Sequence, residues 1–339
     1  MSLGKSLLAL LSGALLTALL GTPSQAQATP SLPALAEKSG VSVKILQEAL
    51  AEARYQQKII DAMTRPAEGK PWWQYRKIFI TTTRIDNGVQ FYLKNEELLK
   101  RAAQTYGVPE EIICAIIGVE TSYGSGMGTW AVLDALYTLG FKYPPREKYF
   151  SGEFANFVKL CRREGWTYRE VKGSYAGAMG MGQFMPSSYL AYGVDFNADG
   201  KVDLFHSTAD AVGSVANYFK QNGWKSGQAV YYPVHLGKAN AKALMDKQWN
   251  LTARELYRAG ATTKVNLSPE VKLRLFAFDL EDGSRGYAVG LNNFHSIMRY
   301  NTSQLYARAV FELSEFIRLG YVKAKQQQGV TVNPQGRSN

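Results

Sequence analysis

The chain is poor in the residues that build metal clusters and covalent frameworks. It has two cysteines, Cys114 and Cys161, and three histidines, His206, His235 and His295. None of these stands at metal-ligand spacing from another, which excludes a zinc cluster. No local signature supports a cysteine protease. Cys114 lies within an apolar run, where a thiol behaves as a small hydrophobe. Two unpaired buried thiols are therefore favoured over a disulfide, although an oxidising compartment would permit one. No long run of Lys or Arg occurs, so the net charge of +11 gives little support to nucleic acid as a partner. It favours an anionic polymer or surface instead. No internal repeat is visible. The longest apolar stretch, residues 7–20, falls short of the roughly 20 residues a membrane-spanning helix needs. No cysteine stands directly after that stretch, the first being Cys114, so a lipoprotein anchor is not expected.

What is present at the start is Lys5, then residues 7–20, then Ala26-Gln27-Ala28. A positive end, a short apolar middle and a small-x-small exit describe a secretory signal peptide over residues 1–28. The mature chain is expected outside the cytoplasm, in the periplasm, with no transmembrane anchor. About 310 residues remain, room for two lobes at a prior of roughly 150 residues each. A hydrophobic content of 46% suits a globular protein and argues against disorder.

Apolar periodicity predicts helices over residues 43–63 and 95–106. Gly107-Val108-Pro109 closes the second and opens another, since Gly suits a helix C-cap and Pro a first helical position. The next helix begins with Glu110-Glu111 at the positive end of its dipole. It continues as Ile112-Ile113-Cys114-Ala115-Ile116-Ile117-Gly118-Val119, apolar on every face, as a central core helix is. Further helices are expected from Pro186, over residues 210–220 and over residues 303–319. Alternation over residues 273–278, a turn at Asp282-Gly283 and a second run over residues 286–289 predict a β-hairpin. The fold class is mainly α (α+β), with a small β-containing insertion near the C-terminal end. The expected segments are a helical region over 29–224, the insertion over 225–295, a returning helix over 296–322 and a disordered tail over 323–339.

Glu120 is the most telling residue. It ends the all-apolar helix, where an unpaired charge is costly and the negative end of the dipole adjoins it. Both effects favour the protonated acid, which is the form glycosidic bond cleavage needs. A structural glutamate paired with an arginine would occupy such a position as readily.

The segments Gly118-Val119-Glu120-Thr121-Ser122-Tyr123-Gly124 and Gly173-Ser174-Tyr175-Ala176-Gly177-Ala178-Met179-Gly180-Met181-Gly182-Gln183-Phe184-Met185-Pro186-Ser187-Ser188-Tyr189 closely resemble the lytic murein transglycosylase B family. So do Gly213-Ser214-Val215-Ala216-Asn217-Tyr218-Phe219 and Arg299-Tyr300-Asn301. The resemblance implies a lysozyme-like catalytic core and a glycan groove. It implies that Glu120 protonates the oxygen between N-acetylmuramic acid and N-acetylglucosamine. The same residue then takes the proton of the muramyl 6-hydroxyl, so that a 1,6-anhydro ring closes without water. No second acid lies in a comparable motif, which agrees with a one-carboxylate reaction. Ser174 and Gln183 match the family's substrate-binding pair, and Phe184, Tyr218, Tyr300, Asn301 and Tyr306 match groove residues. Each tyrosine, taken alone, reads as core packing. Related chains carry two arginines after Tyr-Pro; here Tyr143-Pro144 is followed by Pro145-Arg146, leaving Arg146 alone as a candidate for the peptide stem. Peptidoglycan glycan strands are the implied partner and other cell-wall enzymes are candidate partners; a monomer is expected. A lysozyme-like hydrolase and a non-catalytic peptidoglycan-binding protein remain as alternatives.

No catalytic cofactor is expected, but a structural Ca2+ is. Asp195-Phe196-Asn197-Ala198-Asp199-Gly200-Lys201 places oxygen ligands at alternate positions with Gly at the sixth, as an EF-hand loop does. Lys201 would offer its carbonyl. The twelfth position is His206 rather than glutamate, and the family pattern points to Asp210 as the closing carboxylate of a calcium loop over 195–210.

Overall fold

The computed structural model describes residues 31–64 and 69–330. The expected signal peptide lies outside the described residues. The chain divides into two compact units, one taking Met1–Ala67 with Glu120–Val215, the other Glu68–Val119 with Ala216–Asn339. Among the described residues no helix is long and apolar enough to cross a membrane.

The first unit is built around the helix Glu147–Glu164. Phe150, Phe154, Phe157 and Cys161 recur at helical spacing and are almost fully buried, so one face is continuously apolar. The helix stops at Gly165, whose φ of 70° is the left-handed cap conformation. Against it pack the helices Val132–Phe141, Leu32–Ser39, Val43–Glu52 and Pro186–Tyr192. Trp130–Ala131 and Lys172–Gly173 pair as a two-stranded antiparallel sheet.

The single helix expected over residues 43–63 is two, Val43–Glu52 and Gln57–Met63. Tertiary hydrogen bonds outcompete the helical ones at the break. The Arg54 amide donates to Asp134 Oδ1 at 2.9 Å and the Gln56 amide to Thr138 Oγ1 at 3.1 Å. Asp134 is buried and paired with Arg169 at 2.8 Å, so its carboxylate is fully engaged.

The second unit holds the all-apolar run. Residues 112–119 of the helix Glu110–Thr121 are all buried, as a helix apolar on every face requires. The helices Trp72–Phe79 and Thr82–Lys94 pack against the long helix Gln304–Gln327. Tyr92 and Tyr321 stack with centroids 4.1 Å apart. The Arg308 guanidinium lies 4.2 Å from the Trp72 ring and 4.4 Å from Phe278, a cation–π arrangement. The last helix runs through Gln327, five residues into the segment expected to be tail. Lys325 is held there by Glu96 at 2.9 Å, an anchor that polar composition does not reveal. Residues 331–339 lie outside the described part.

The expected hairpin is present as Lys272–Asp279 paired with Arg285–Gly290, with Phe276 opposite Ala288. The strand Leu251–Thr252 flanks it on one side, and Tyr231–His235 followed by Thr262–Thr263 on the other. Leu244, Leu251, Leu256, Leu273, Leu275 and Val289 form the apolar cluster under this sheet.

Candidate active site

Glu120 stands in the last turn of its helix, partly exposed where the eight residues before it are buried. The chain then turns sharply. Ser122 and Tyr123 take φ of 49° and 61°, a conformation that costs free energy for residues with a Cβ. Gln183 (φ 52°) and Ala198 (φ 60°) are two more of this kind. Such outliers cluster where surrounding structure imposes a geometry for function.

Thr121, buried beside the acid, provides that imposition. Its hydroxyl donates to the Met181 carbonyl at 2.7 Å and accepts from the Gly124 amide at 3.0 Å. The helix end is thereby tied to the glycine-rich loop sixty residues later. That loop is ordered by its own backbone. Met179 and Phe184 exchange two hydrogen bonds of 2.9 Å, and the Ser174 amide donates to the Ala178 carbonyl at 2.9 Å. The Ser174 hydroxyl, buried, accepts from the Ala176 and Ala178 amides. Gln183 donates its side-chain amide to the carbonyls of Met127 at 3.1 Å and Gly180 at 3.0 Å, which holds its side-chain oxygen in one orientation. Phe184 is 2% exposed, so it supports the loop from beneath.

Gly128 and Gly180 are among the glycines needed for close approach. A Cβ on Gly128 would meet the Gly173 carbonyl oxygen at 2.0 Å, and one on Gly180 the Leu204 carbonyl oxygen at 2.5 Å. The first contact presses residues 127–128 against Gly173-Ser174. The second brings the loop to the segment after Asp203, where the Met181 amide donates to the Leu204 carbonyl at 2.8 Å.

That segment belongs to the acidic loop. Asp195 accepts from the amides of Asp199 at 3.1 Å and Gly200 at 2.7 Å. Asn197 Oδ1 accepts from the Asp199 amide, and Asp199 from the Lys201 amide. Asp210 is fully buried in the first turn of Thr208–Gln221, and its oxygens accept from Phe196 and Asp203, each at 2.8 Å. A buried carboxylate therefore clamps both ends of a turn carrying three oxygen-bearing side chains at alternate positions. Hard oxygen donors of this kind are the set that Ca2+ takes; here they accept from the loop's own amides. Lys201 keeps the seventh position, and His206 is exposed and pairs with Asp203 at 3.0 Å, so it serves the turn.

Arg146 lies over the Tyr149 and Phe150 rings at 4.7 and 5.3 Å. In the second unit, Tyr218 and Tyr300 meet edge to face at 4.7 Å, and the Tyr218 hydroxyl donates to the Arg299 carbonyl at 2.6 Å. Asn301 is buried and accepts from the Ser303 amide at 3.1 Å. Tyr306 is fully buried. Each unit thus gathers its own members: Glu120, Ser174, Gln183 and Phe184 in the first, Tyr218, Tyr300 and Asn301 in the second. Thr121, Met127 and Gly128 were not anticipated from sequence; only the adjacency of Thr121 to the acid marked any of them. Both cysteines are free and buried, as favoured, and burial pushes the thiols well above their usual range.

The family described as "Transglycosylase SLT domain" matches residues 24–315. Membrane-bound lytic murein transglycosylase B of Escherichia coli K12 is 41% identical over 300 residues, covering 85% of this chain and 82% of the relative. Among solved structures, the catenated lytic transglycosylase SltB1 of Pseudomonas aeruginosa has a TM-score of 0.80 at 41% identity, over 86% of this chain and 96% of that one. The E. coli lytic transglycosylase Slt35 in complex with calcium has a TM-score of 0.76 at 42% identity, over 86% and 92%. With the acid, the glycine-rich loop and the mainly helical lysozyme-like core in place, the chain belongs to the SLT-domain family of lytic transglycosylases.

Proposed function

We propose that Glu120 is the single acid and base of a peptidoglycan lytic transglycosylase. The enzyme cleaves the β-1,4 bond between N-acetylmuramic acid and N-acetylglucosamine. The observation that carries the assignment is the placement of Glu120. It is the one carboxylate at the emergent end of a buried helix, locked through Thr121 to the loop that presents Gln183 and Ser174.

In the first step Glu120 gives its proton to the glycosidic oxygen as the bond from that oxygen to C1 of the muramyl residue breaks. The N-acetylglucosamine side leaves with a free hydroxyl. In the second step the muramyl 6-hydroxyl oxygen bonds to C1 and its proton returns to Glu120. The acid ends as it began, and no water is consumed. Gln183, its amide fixed on two carbonyls, has its oxygen free to orient a sugar hydroxyl or amide. Within the second unit Tyr218, Tyr300 and Asn301 are assigned to sugar binding, with Tyr306, fully buried, packed behind them, and Arg146 is assigned to the peptide stem. The chain acts in the periplasm after removal of residues 1–28. Structural Ca2+ would be held by Asp195, Asn197, Asp199, the Lys201 carbonyl and Asp210, and would support the fold rather than the chemical step.

The test is digestion of purified sacculi. Glu120→Gln should abolish release while leaving the melting transition in place. The parent should release products ending in 1,6-anhydromuramic acid, about 18 Da lighter than the hydrated ones. Near-parental turnover of Glu120→Gln, or mainly reducible ends, would overturn the assignment.

A further inference from the structure

The first unit contains a concavity of about 860 Å3, lined among others by Met127, Trp166, Thr167, Lys172, Lys201 and Phe205. Its size lies within the range of about 300–1,000 Å3 typical of small-molecule sites. Two features give it a chemical character. Trp166 is partly exposed and rigidly placed, because its amide closes the end of the helix Glu147–Glu164 on the Cys161 carbonyl at 2.8 Å. Its ring meets Tyr189 and Phe205 edge to face at 5.7 and 5.8 Å. It is a pre-ordered aromatic surface, which suits the C–H face of a sugar ring. The second feature is charge. Arg163, Lys172 and Lys201 line the cavity together with Glu164, Glu170 and Asp203, and His206 lies beside Asp203 at 3.0 Å, so with His206 neutral the three cations and three carboxylates balance in a chain of net charge +11. Arg163 and Glu164 pair at 2.6 Å. A neutral wall selects against a phosphate or a polyanion. It suits an uncharged ligand rich in hydroxyls and amides.

We propose that this cavity is an accessory saccharide site, taking an N-acetylated disaccharide stretch of the glycan strand with Trp166 as its platform. The proposal rests on the glycan-strand reading above for the identity of its natural ligand. Its place explains its use. Met127, on the cavity wall, is the residue whose carbonyl fixes Gln183, and the neighbouring Gly128 is pressed against Gly173-Ser174. A strand held here contacts the same backbone, residues 127–128, that orders the two proposed substrate-binding residues.

The experiment is isothermal titration of N,N′-diacetylchitobiose into the Glu120→Gln protein, alone and combined with Thr167→Trp or Trp166→Ala. Thr167 is exposed and lines the cavity, and it is none of the residues assigned to catalysis or to substrate binding, so a tryptophan there is chosen to fill the cavity. We expect Thr167→Trp to remove one binding event. Trp166→Ala should weaken that event about ten-fold, the scale of one lost aromatic platform, and Trp166→Phe should restore part of it. Parental stoichiometry and affinity in Thr167→Trp and in Trp166→Ala, with melting transitions retained, would overturn the proposal. The readout is binding alone. A failure of the Glu120 assignment appears as residual cleavage by Glu120→Gln, and a failure of the accessory site appears only in the titrations.

Discussion

Replacing Thr121 by valine isolates the tie between the acid-bearing helix and the glycine-rich loop. Valine keeps the branched shape and volume, so no cavity opens and the effect is that of the hydroxyl alone. Two hydrogen bonds go: the one to the Met181 carbonyl at 2.7 Å and the one from the Gly124 amide at 3.0 Å. Thr121 is 1% exposed, so the Met181 carbonyl loses its partner where water has poor access. A buried group left unpaired costs about 1–3 kcal/mol. Gly124 is partly exposed and recovers some of its loss from solvent. The expected destabilisation is therefore about 2–3 kcal/mol. Urea unfolding should show a lower midpoint at unchanged slope. Turnover should fall more than stability explains at temperatures where the variant is fully folded, because the angle between helix end and loop is no longer fixed. Thr121→Ser, which keeps the hydroxyl, should recover most of both. A valine variant within about 0.5 kcal/mol of the parent, the scatter of a neutral substitution, and with parental turnover would refute the argument.

Three further outcomes follow from the same geometry. Burial, with repulsion from Glu110 and Glu315, pushes the Glu111 carboxyl up from 4.5 to about 7. Its contribution to stability is complete below the unfolded value and is lost as pH rises through 7. Glu111→Gln should therefore gain on the parent between pH 5 and pH 8 by up to about 3 kcal/mol, since each tenfold change in proton affinity is worth about 1.4 kcal/mol; parallel melting curves across that range would contradict it. Calcium should raise the melting temperature, by the equivalent of about 2.7 kcal/mol at a hundredfold excess over Kd. Asp210→Asn should weaken that response and lower the calcium-free stability as well, because an amide group would face a backbone amide; identical melts with calcium and chelator would count against the site. Gly128→Ala should lower turnover on sacculi, since its Cβ falls 2.0 Å from the Gly173 carbonyl and the backbone must move; parental kinetics would show that the approach is not needed.

Local signals carried much of this molecule. The run over residues 112–119 announced a buried helix because no face of it is polar, and Asp282-Gly283 announced the hairpin because a tight turn requires such residues. Glu120 was legible because it ends an all-apolar helix inside a motif, Gly118 to Gly124, that resembles a known family; its position alone fitted a structural ion pair as readily. Partnerships between distant residues were less legible. The break at residues 53–56 depends on Asp134 and Thr138, some eighty positions away, and periodicity over 43–63 contains no trace of them. The last helix persists to Gln327 because Lys325 finds Glu96. Thr121 looked like any residue after the acid until its hydroxyl was seen to reach Met181. Motifs name the groups that face a substrate; the groups that hold them speak through contacts that only the fold creates.

The contact between the helix Gln304–Gln327 and the segment 72–94 has a consequence for the order in which the molecule is made. Trp72 and Tyr92 find partners in Arg308 and Tyr321, more than two hundred residues later. Pairings so far apart in the chain are slow to close, because the intervening loop must be confined before any contact rewards it. The second unit cannot assemble its core until the last helix has emerged. A chain delivered end first therefore stays incomplete, with its aromatic segment uncovered, until synthesis has passed residue 321. Truncation before residue 304 should release the segment 72–94 to proteolysis.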